Sequence, residues 1–249
     1  MNLAHIIEDL AYDMGGEFPR DAIEAAIAKR KQITPHLLMI LEDAIYRIDE
    51  IIEDDNYQGH LYAMYLLAQF REEKAYPLII ELFSYPGEIP HAIAGDVLTE
   101  DLSRILASVC GKNIDPLKKM IENPSINEYV RAACQACLVT LVGCGFINRK
   151  EVIEYFRALF HEKLEKHPSF VWDHLIVSSC SLYPEEIFDE IKRAFDRNLI
   201  NKAFISIEDV VTTLGEEKQR HLFQLFHDAE LIDDTVAEME KWMGNYSLQ

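Results

Sequence analysis

Positive charge is scarce in this chain: 24 Lys and Arg stand against 43 Asp and Glu over 249 residues, a formal net charge of -19 with histidine neutral. That balance opposes non-specific binding to DNA or RNA, whose affinity comes mainly from neutralising phosphates. The densest basic stretch, Lys29, Arg30 and Lys31, is too short to reverse it. Proline and glycine are also few, 9 and 10, and no Ser/Gly/Pro-rich linker interrupts the chain, which excludes a long disordered segment. Five cysteines, an odd number in a long chain, exclude a disulfide framework and point to a reducing cytoplasm. Long apolar runs are missing too. The longest charge-free stretch, residues 132–148, is short for a bilayer and contains Gly143 and Gly145. The opening MNLAHIIEDLAYD has no basic start and carries Glu8 and Asp9, unlike a secretion signal. Walker A, G-x-G-x-x-G and G-x-S-x-G motifs are absent as well.

What is present is helical periodicity with no sustained strand alternation. DAIEAAIAKR (21–30) is built from good helix formers. Within residues 35–53, Leu37, Leu38, Leu41, Ile45, Ile48 and Ile52 make one apolar stripe. Further helices are expected at 60–70, 97–110, 116–122, 126–142, 149–163, 170–181, 184–197, 208–227 and 233–243. Ser125 with Glu128, and Asn148 with Glu151, have the spacing of helix-opening caps. Pro35, Pro77, Pro116 and Pro184 each stand just ahead of an apolar helical pattern, a position where a missing amide costs no bond.

Those prolines, with Arg149 as a start between the last two, divide the chain into units of about 33 to 42 residues. Val152, Ile153, Phe156 and Phe160 follow Arg149 at the offsets at which Ile187, Phe188, Ile191 and Phe195 follow Pro184. Two helices per unit predict an all-α fold, an α-α superhelix of the HEAT/ARM-like solenoid type, as one domain over 1–249. The repeat array spans about 20–210, and the acidic residues 211–249 are expected to cap it.

The segment YVRAACQACLVTLVGCG (129–145) holds a C-x-x-C pair. Val130, Ala133, Cys134, Cys137, Leu138 and Leu141 form one apolar stripe, and Ala132, Ala136, Val139 and Gly143 a face of small residues. Such a helix is interior, with cysteine acting as a small hydrophobe. A structural zinc site needs four ligands and no second pair exists, so no metal and no cofactor are expected. DDNYQGHLYAMY (54–65) has Tyr65 where a calcium loop needs a bidentate Glu. The histidines of HEKLEKH (161–167) are six apart, not four as in a zincin.

Two clusters are candidate binding sites. TEDLSR offers Glu100, Asp101 and Arg104 at a helix start, where acidic residues also suit the helix dipole and Asp101–Arg104 reads as a surface pair. FVWDHL offers Trp172 and His174 with Asp173 between them; one helical turn cannot bury all three equally, so part of it should line a surface. No catalytic residue is assigned.

The blocks REEKAYPLIIELF (71–83), DVLTEDLSRILASV (96–109), EYVRAACQACLVTLVGCG (128–145) and WDHLIVSSCSLYPEEIFDEIKRAF (172–195) resemble, in order and spacing, the bacterial family catalogued as domain of unknown function 1186. The resemblance runs from about residue 20 to about residue 210. It implies a HEAT-like helical array with no assigned activity. Many relatives add a cysteine-rich, zinc-binding SEC-C tail, whereas this chain has no cysteine after Cys180, so zinc does not carry over.

The expected function is a cytoplasmic interaction scaffold for a protein or peptide, basic by charge complementarity and with no role at nucleic acid or membrane. The alternative is an enzyme or small-ligand binder, which requires Glu100 and Asp101 to converge with Trp172 and His174 in one pocket.

Overall fold

A computed structural model describes residues 1–12 and 17–246, with side chains through Trp242. Among the described residues the chain is all-α, with a lone antiparallel bridge between Tyr12 and Tyr57 in place of any sheet. Along the chain run α1 (Leu3–Ala11), α2 (Arg20–Ala28), α3 (Arg30–Tyr46), α4 (Ile48–Glu53), α5 (Gly59–Gln69), α6 (Ala75–Leu82), α7 (Ile89–Ala94), α8 (Val97–Glu100) and α9 (Leu102–Val109). They continue as α10 (Asp115–Glu122), α11 (Glu128–Gly143), α12 (Arg149–Ala158), α13 (Phe170–Ser181), α14 (Phe188–Asp196), α15 (Ile207–Leu214), α16 (Lys218–Asp228) and α17 (Thr235–Tyr246). No helix among the described residues is long and apolar enough to cross a membrane.

The helices form two compact units. The first holds residues 1–96, 108–111 and 231–249; the second holds 97–107 and 112–230. In the first, α5 (GHLYAMYLLAQ) is apolar around its circumference and is buried from Tyr62 to Ala68. An all-apolar helix can only be interior, and α1, α3 and α17 pack around it. The carboxy-terminal segment is fastened at the end of α5. Arg71, with φ of 54°, donates to the Ile232 carbonyl at 2.6 Å and pairs with Asp233. Thr235 N donates to Gln69 Oε1 at 3.0 Å, and Trp242 Nε1 to Tyr65 Oη at 3.0 Å.

In the second unit α11 is the axis, packed by α8, α10, α13 and α16. Cys134 and Cys137 lie wholly inside it, as the apolar stripe implies. Burial pushes the Cys134 thiol up to about 12, and its sulfur lies 3.9 Å from Met120 Sδ. The inward positions shared by the two best-matched sequence units hold. Val152, Ile153, Phe156 and Phe160 are buried, as are Ile187, Ile191 and Phe195, with Phe188 half-buried.

The helix boundaries depart from expectation where local chemistry intervenes. Pro35 is not at a helix start but sixth in α3; the bond it forfeits is to the exposed Lys31, and the Thr34 hydroxyl donates to Arg30 O at 2.7 Å beside it. Pro77 is third in α6 and Pro116 second in α10, while Pro184 precedes a short 3-10 turn, Glu185–Ile187. The cap of α11 is Asn127, whose side chain accepts from Tyr129 N at 2.9 Å; Ser125 is instead held by Asn123. The expected helix 208–227 is two, α15 and α16, broken at Gly215; a capping box of Ser206 and Asp209 opens the first. The stretch 149–163 stays helical but widens to π geometry over Leu159–Lys163. α1 and α7 add to the helices expected from periodicity.

Candidate functional site

Of the residues singled out in the sequence, Glu100 is exposed and Asp101 is buried. Asp101 Oδ1 accepts from Arg104 Nη1 at 3.0 Å, and Arg104 reaches Glu230, with 4.0 Å between Nη2 and the carboxylate. The expected surface pair is therefore a sheltered clamp on the end of the second unit. Trp172 is 3% exposed and donates Nε1–H to the Glu165 carbonyl at 2.8 Å, with its ring 5.9 Å from that of Phe160. His174, two residues on, is half-buried. Gln135 donates to Val171 O, and His174 Nδ1 lies 3.3 Å from Gln135 Oε1 and 3.1 Å from Ser178 Oγ. Burial lowers the His174 pKa to about 4, so the ring is neutral near pH 7. Trp172 and His174 thus hold the inside of α13, while Asp101 and Arg104 hold residue 230; their hydrogen bonds run to different neighbours.

Asp173 was expected to compete with Trp172 and His174 for burial, yet it too is inside, because its Oδ1 accepts from Asn201 N at 2.7 Å. That bond brings the loop 201–204 against the start of α13. Across from it, Glu128 in the first turn of α11 accepts from Phe170 N, the first amide of α13, at 2.6 Å. A carboxylate at that end suits the helix dipole. Burial raises the Asp173 pKa, and the nearby charge of Glu128 adds to the rise. Around these acids three rings meet. Phe170 lies with its centroid 4.7 Å from Tyr129 and 5.3 Å from Phe204, the latter edge-on. Tyr129 is 40% exposed and Phe204 50%. Neither Glu128 nor Asp173 forms an ion pair among the described residues; Lys202, in the same loop, is exposed and forms none either. Sequence reading marked Asp173 but not its partners. The only signals for them were an aromatic residue beside the cap (Tyr129) and one isolated in the polar stretch NKAFIS (Phe204).

A separate concavity of about 690 Å³ lies in the second unit between the end of α13 and the α15–α16 turn. It is lined by Ser181, Glu216, Glu217, Arg220, His221 and Asp228. His221 bridges it: Nδ1 lies 2.8 Å from the Glu216 carboxylate, and Nε2 faces the Ser181 carbonyl at 3.2 Å. Beside Trp172 is a pit of about 60 Å³ walled by Phe160, Glu190 and Arg193. Among the described residues no three His, Cys, Asp or Glu side chains gather as metal ligands.

No solved structure matches the chain. A protein of Chlamydia muridarum (strain MoPn / Nigg), named only as uncharacterized, is 56% identical over 250 residues that cover 100% of both chains. A second such protein, from Chlamydia trachomatis serovar D, is 55% identical and is covered to 99% of its length. The family described as "Protein of unknown function (DUF1186)" matches residues 1–246. With the whole described fold inside that match, this chain belongs to the DUF1186 family.

Proposed function

We propose that the protein is an interaction module: a HEAT-like array of antiparallel helix pairs that holds a basic protein segment in the cytoplasm. The observation that carries this reading is in the second unit. Phe204, Phe223 and Phe226 are 50%, 69% and 52% exposed there, whereas Phe156 of the same unit and Phe70 and Phe83 of the first are buried. Large apolar side chains kept in water, on a surface of net charge -19, suit a partner that offers both apolar area and positive charge. Five cysteines, an odd number in a chain of this length, fit a reducing compartment.

The alternative, a small-ligand binder or enzyme, finds its support in the concavity at Glu216 and His221 more than at Trp172 and His174, whose side chains are taken up by packing.

The test is capture of partners by immobilised wild-type protein and by the double variant Phe204→Ala/Phe223→Ala, at low and at high salt. A partner retained by the wild type, released by salt and lost by the variant is the expected result. A partner held equally by both proteins and insensitive to salt would sink the reading.

A further inference from the structure

Deepening the interaction-module reading, on which it rests, we propose that Tyr129, Phe170 and Phe204, with Glu128 and Asp173, form a subsite for one arginine side chain of a protein partner. The subsite draws on three elements of the second unit: the first turn of α11, the first turn of α13 and the loop 201–204.

The chemistry comes from what each group has left over. Glu128 uses Oε2 on the Phe170 amide and Asp173 uses Oδ1 on the Asn201 amide. Their second oxygens, Glu128 Oε1 and Asp173 Oδ2, make no hydrogen bond among the described residues, and neither is a buried orphan, so both remain open acceptors. Two adjacent carboxylates without a cation repel one another, and an arriving positive charge relieves that repulsion. The rings supply the other half. Tyr129, Phe170 and Phe204 touch in sequence, with both outer rings in water. A cation over such faces is attracted by the ring quadrupole.

A guanidinium answers both halves at once. It is planar, so it stacks on a ring, and its fork of N–H donors matches carboxylate oxygens. An ammonium can satisfy the charge but not the plane. The occupant is a macromolecular side chain because Tyr129 and Phe204 are too exposed to wall the enclosed cavity that a small ligand needs.

The experiment is a fluorescence-anisotropy titration of the full chain with a labelled peptide carrying one arginine between leucines. Two control peptides replace the arginine by citrulline, equal in shape but uncharged, and by lysine. The arginine peptide should bind, the citrulline peptide should bind roughly tenfold more weakly, and the lysine peptide should fall between. Phe204→Ala should cost about tenfold for the arginine peptide, the scale of one sheltered cation–π contact. Glu128→Gln, which keeps an acceptor for the Phe170 amide, should cost a similar factor. Phe204→Ala alters an exposed position and carries the test alone if Glu128→Gln disturbs α13. Equal binding of the arginine and citrulline peptides, or no loss with Phe204→Ala, would overturn the subsite. If salt-sensitive capture of a partner survives in that case, the interaction module stands and only its arginine subsite falls.

Discussion

Arg131 and Glu165 form a two-bond ion pair inside the second unit, with side chains 3% and 8% exposed and N–O distances of 2.8 and 2.7 Å. The pair is a junction as well as a charge contact. Arg131 Nε donates to Ile121 O at 2.9 Å, and Glu165 accepts from Ser169 Oγ at 3.0 Å, while its backbone carbonyl receives Trp172 Nε1. It joins α10 and α11 to the segment that leads into α13. Burial alone would raise the Glu165 carboxyl, but the bonds from Arg131 hold it below its ordinary value.

Arg131→Met strands a buried carboxylate and should lower stability by about 3–5 kcal/mol. Adding Glu165→Leu removes the stranded charge and should recover part of that loss, although Ile121 O and Ser169 Oγ are then left without their side-chain partners. Urea unfolding of the single and double variants checks both steps. A double variant no more stable than Arg131→Met would mean that the surrounding hydrogen bonds, and not the unpaired charge, set the cost.

Gly143 lies where α11 crosses α16. A Cβ built there would meet Ala229 Cβ at 2.3 Å and Leu225 O at 3.0 Å. In an open helix, Gly→Ala stabilises by up to about 1 kcal/mol. Here Gly143→Ala should instead destabilise by about 1–3 kcal/mol through overpacking, and should loosen α16 first. Amide exchange over residues 218–228 should quicken. Adding Ala229→Gly removes the closest contact and should slow it again in part. A Gly143→Ala protein that melts higher than the wild type would refute the close crossing.

His174 gives the fold a dependence on pH. Its ring stays neutral in the folded chain down to about pH 4, against an ordinary value of 6.5, because burial penalises the charge. Between those values the unfolded chain takes up a proton that the folded chain refuses, so stability falls as pH falls. The shift corresponds to roughly 3 kcal/mol lost between pH 6.5 and pH 4. His60, also lowered by burial, acts with the same sign. Chemical denaturation at a series of pH values should show the decline, and His174→Gln should flatten it. An unchanged slope in that variant would assign the dependence to other groups.

The sequence was most legible where one physical rule acted alone. The stripe through Cys134 and Cys137 specified an interior helix, and the offsets after Arg149 and Pro184 named residues that are buried. Proline was a poorer guide: Pro77, third in α6, forfeits no intrahelical bond, but Pro35 sits sixth in α3 and gives one up. The Asp101–Arg104 pair was legible, but not that it is sheltered. Asp173 could not be read as buried, since its burial depends on a donor, the Asn201 amide, twenty-eight residues away. The ring cluster was illegible for the same reason. Tyr129, Phe170 and Phe204 are 41 and 34 residues apart in sequence and meet only after α11, α13 and the loop 201–204 have packed.

Residues 211–230 fall in the second unit and residues 231–249 in the first. What holds the final segment is visible side chain by side chain. Ile232 is 0% exposed, and its amide donates to Ser108 Oγ at 3.0 Å while its carbonyl accepts from Arg71. Val236 and Met239 follow it into the interior. Ile232→Ala should therefore cost about 2–5 kcal/mol, the range for emptying a closed apolar site. Arg71→Ala should cost less, because the Asp233 half of its contact is largely exposed and such pairs contribute little. Limited proteolysis gives the discriminating readout. If the segment is integral to the first unit, Ile232→Ala should expose cleavage sites in α5 as well as in residues 231–246. Cleavage confined to residues 231–246, with α5 still protected, would show that the first unit holds together without it.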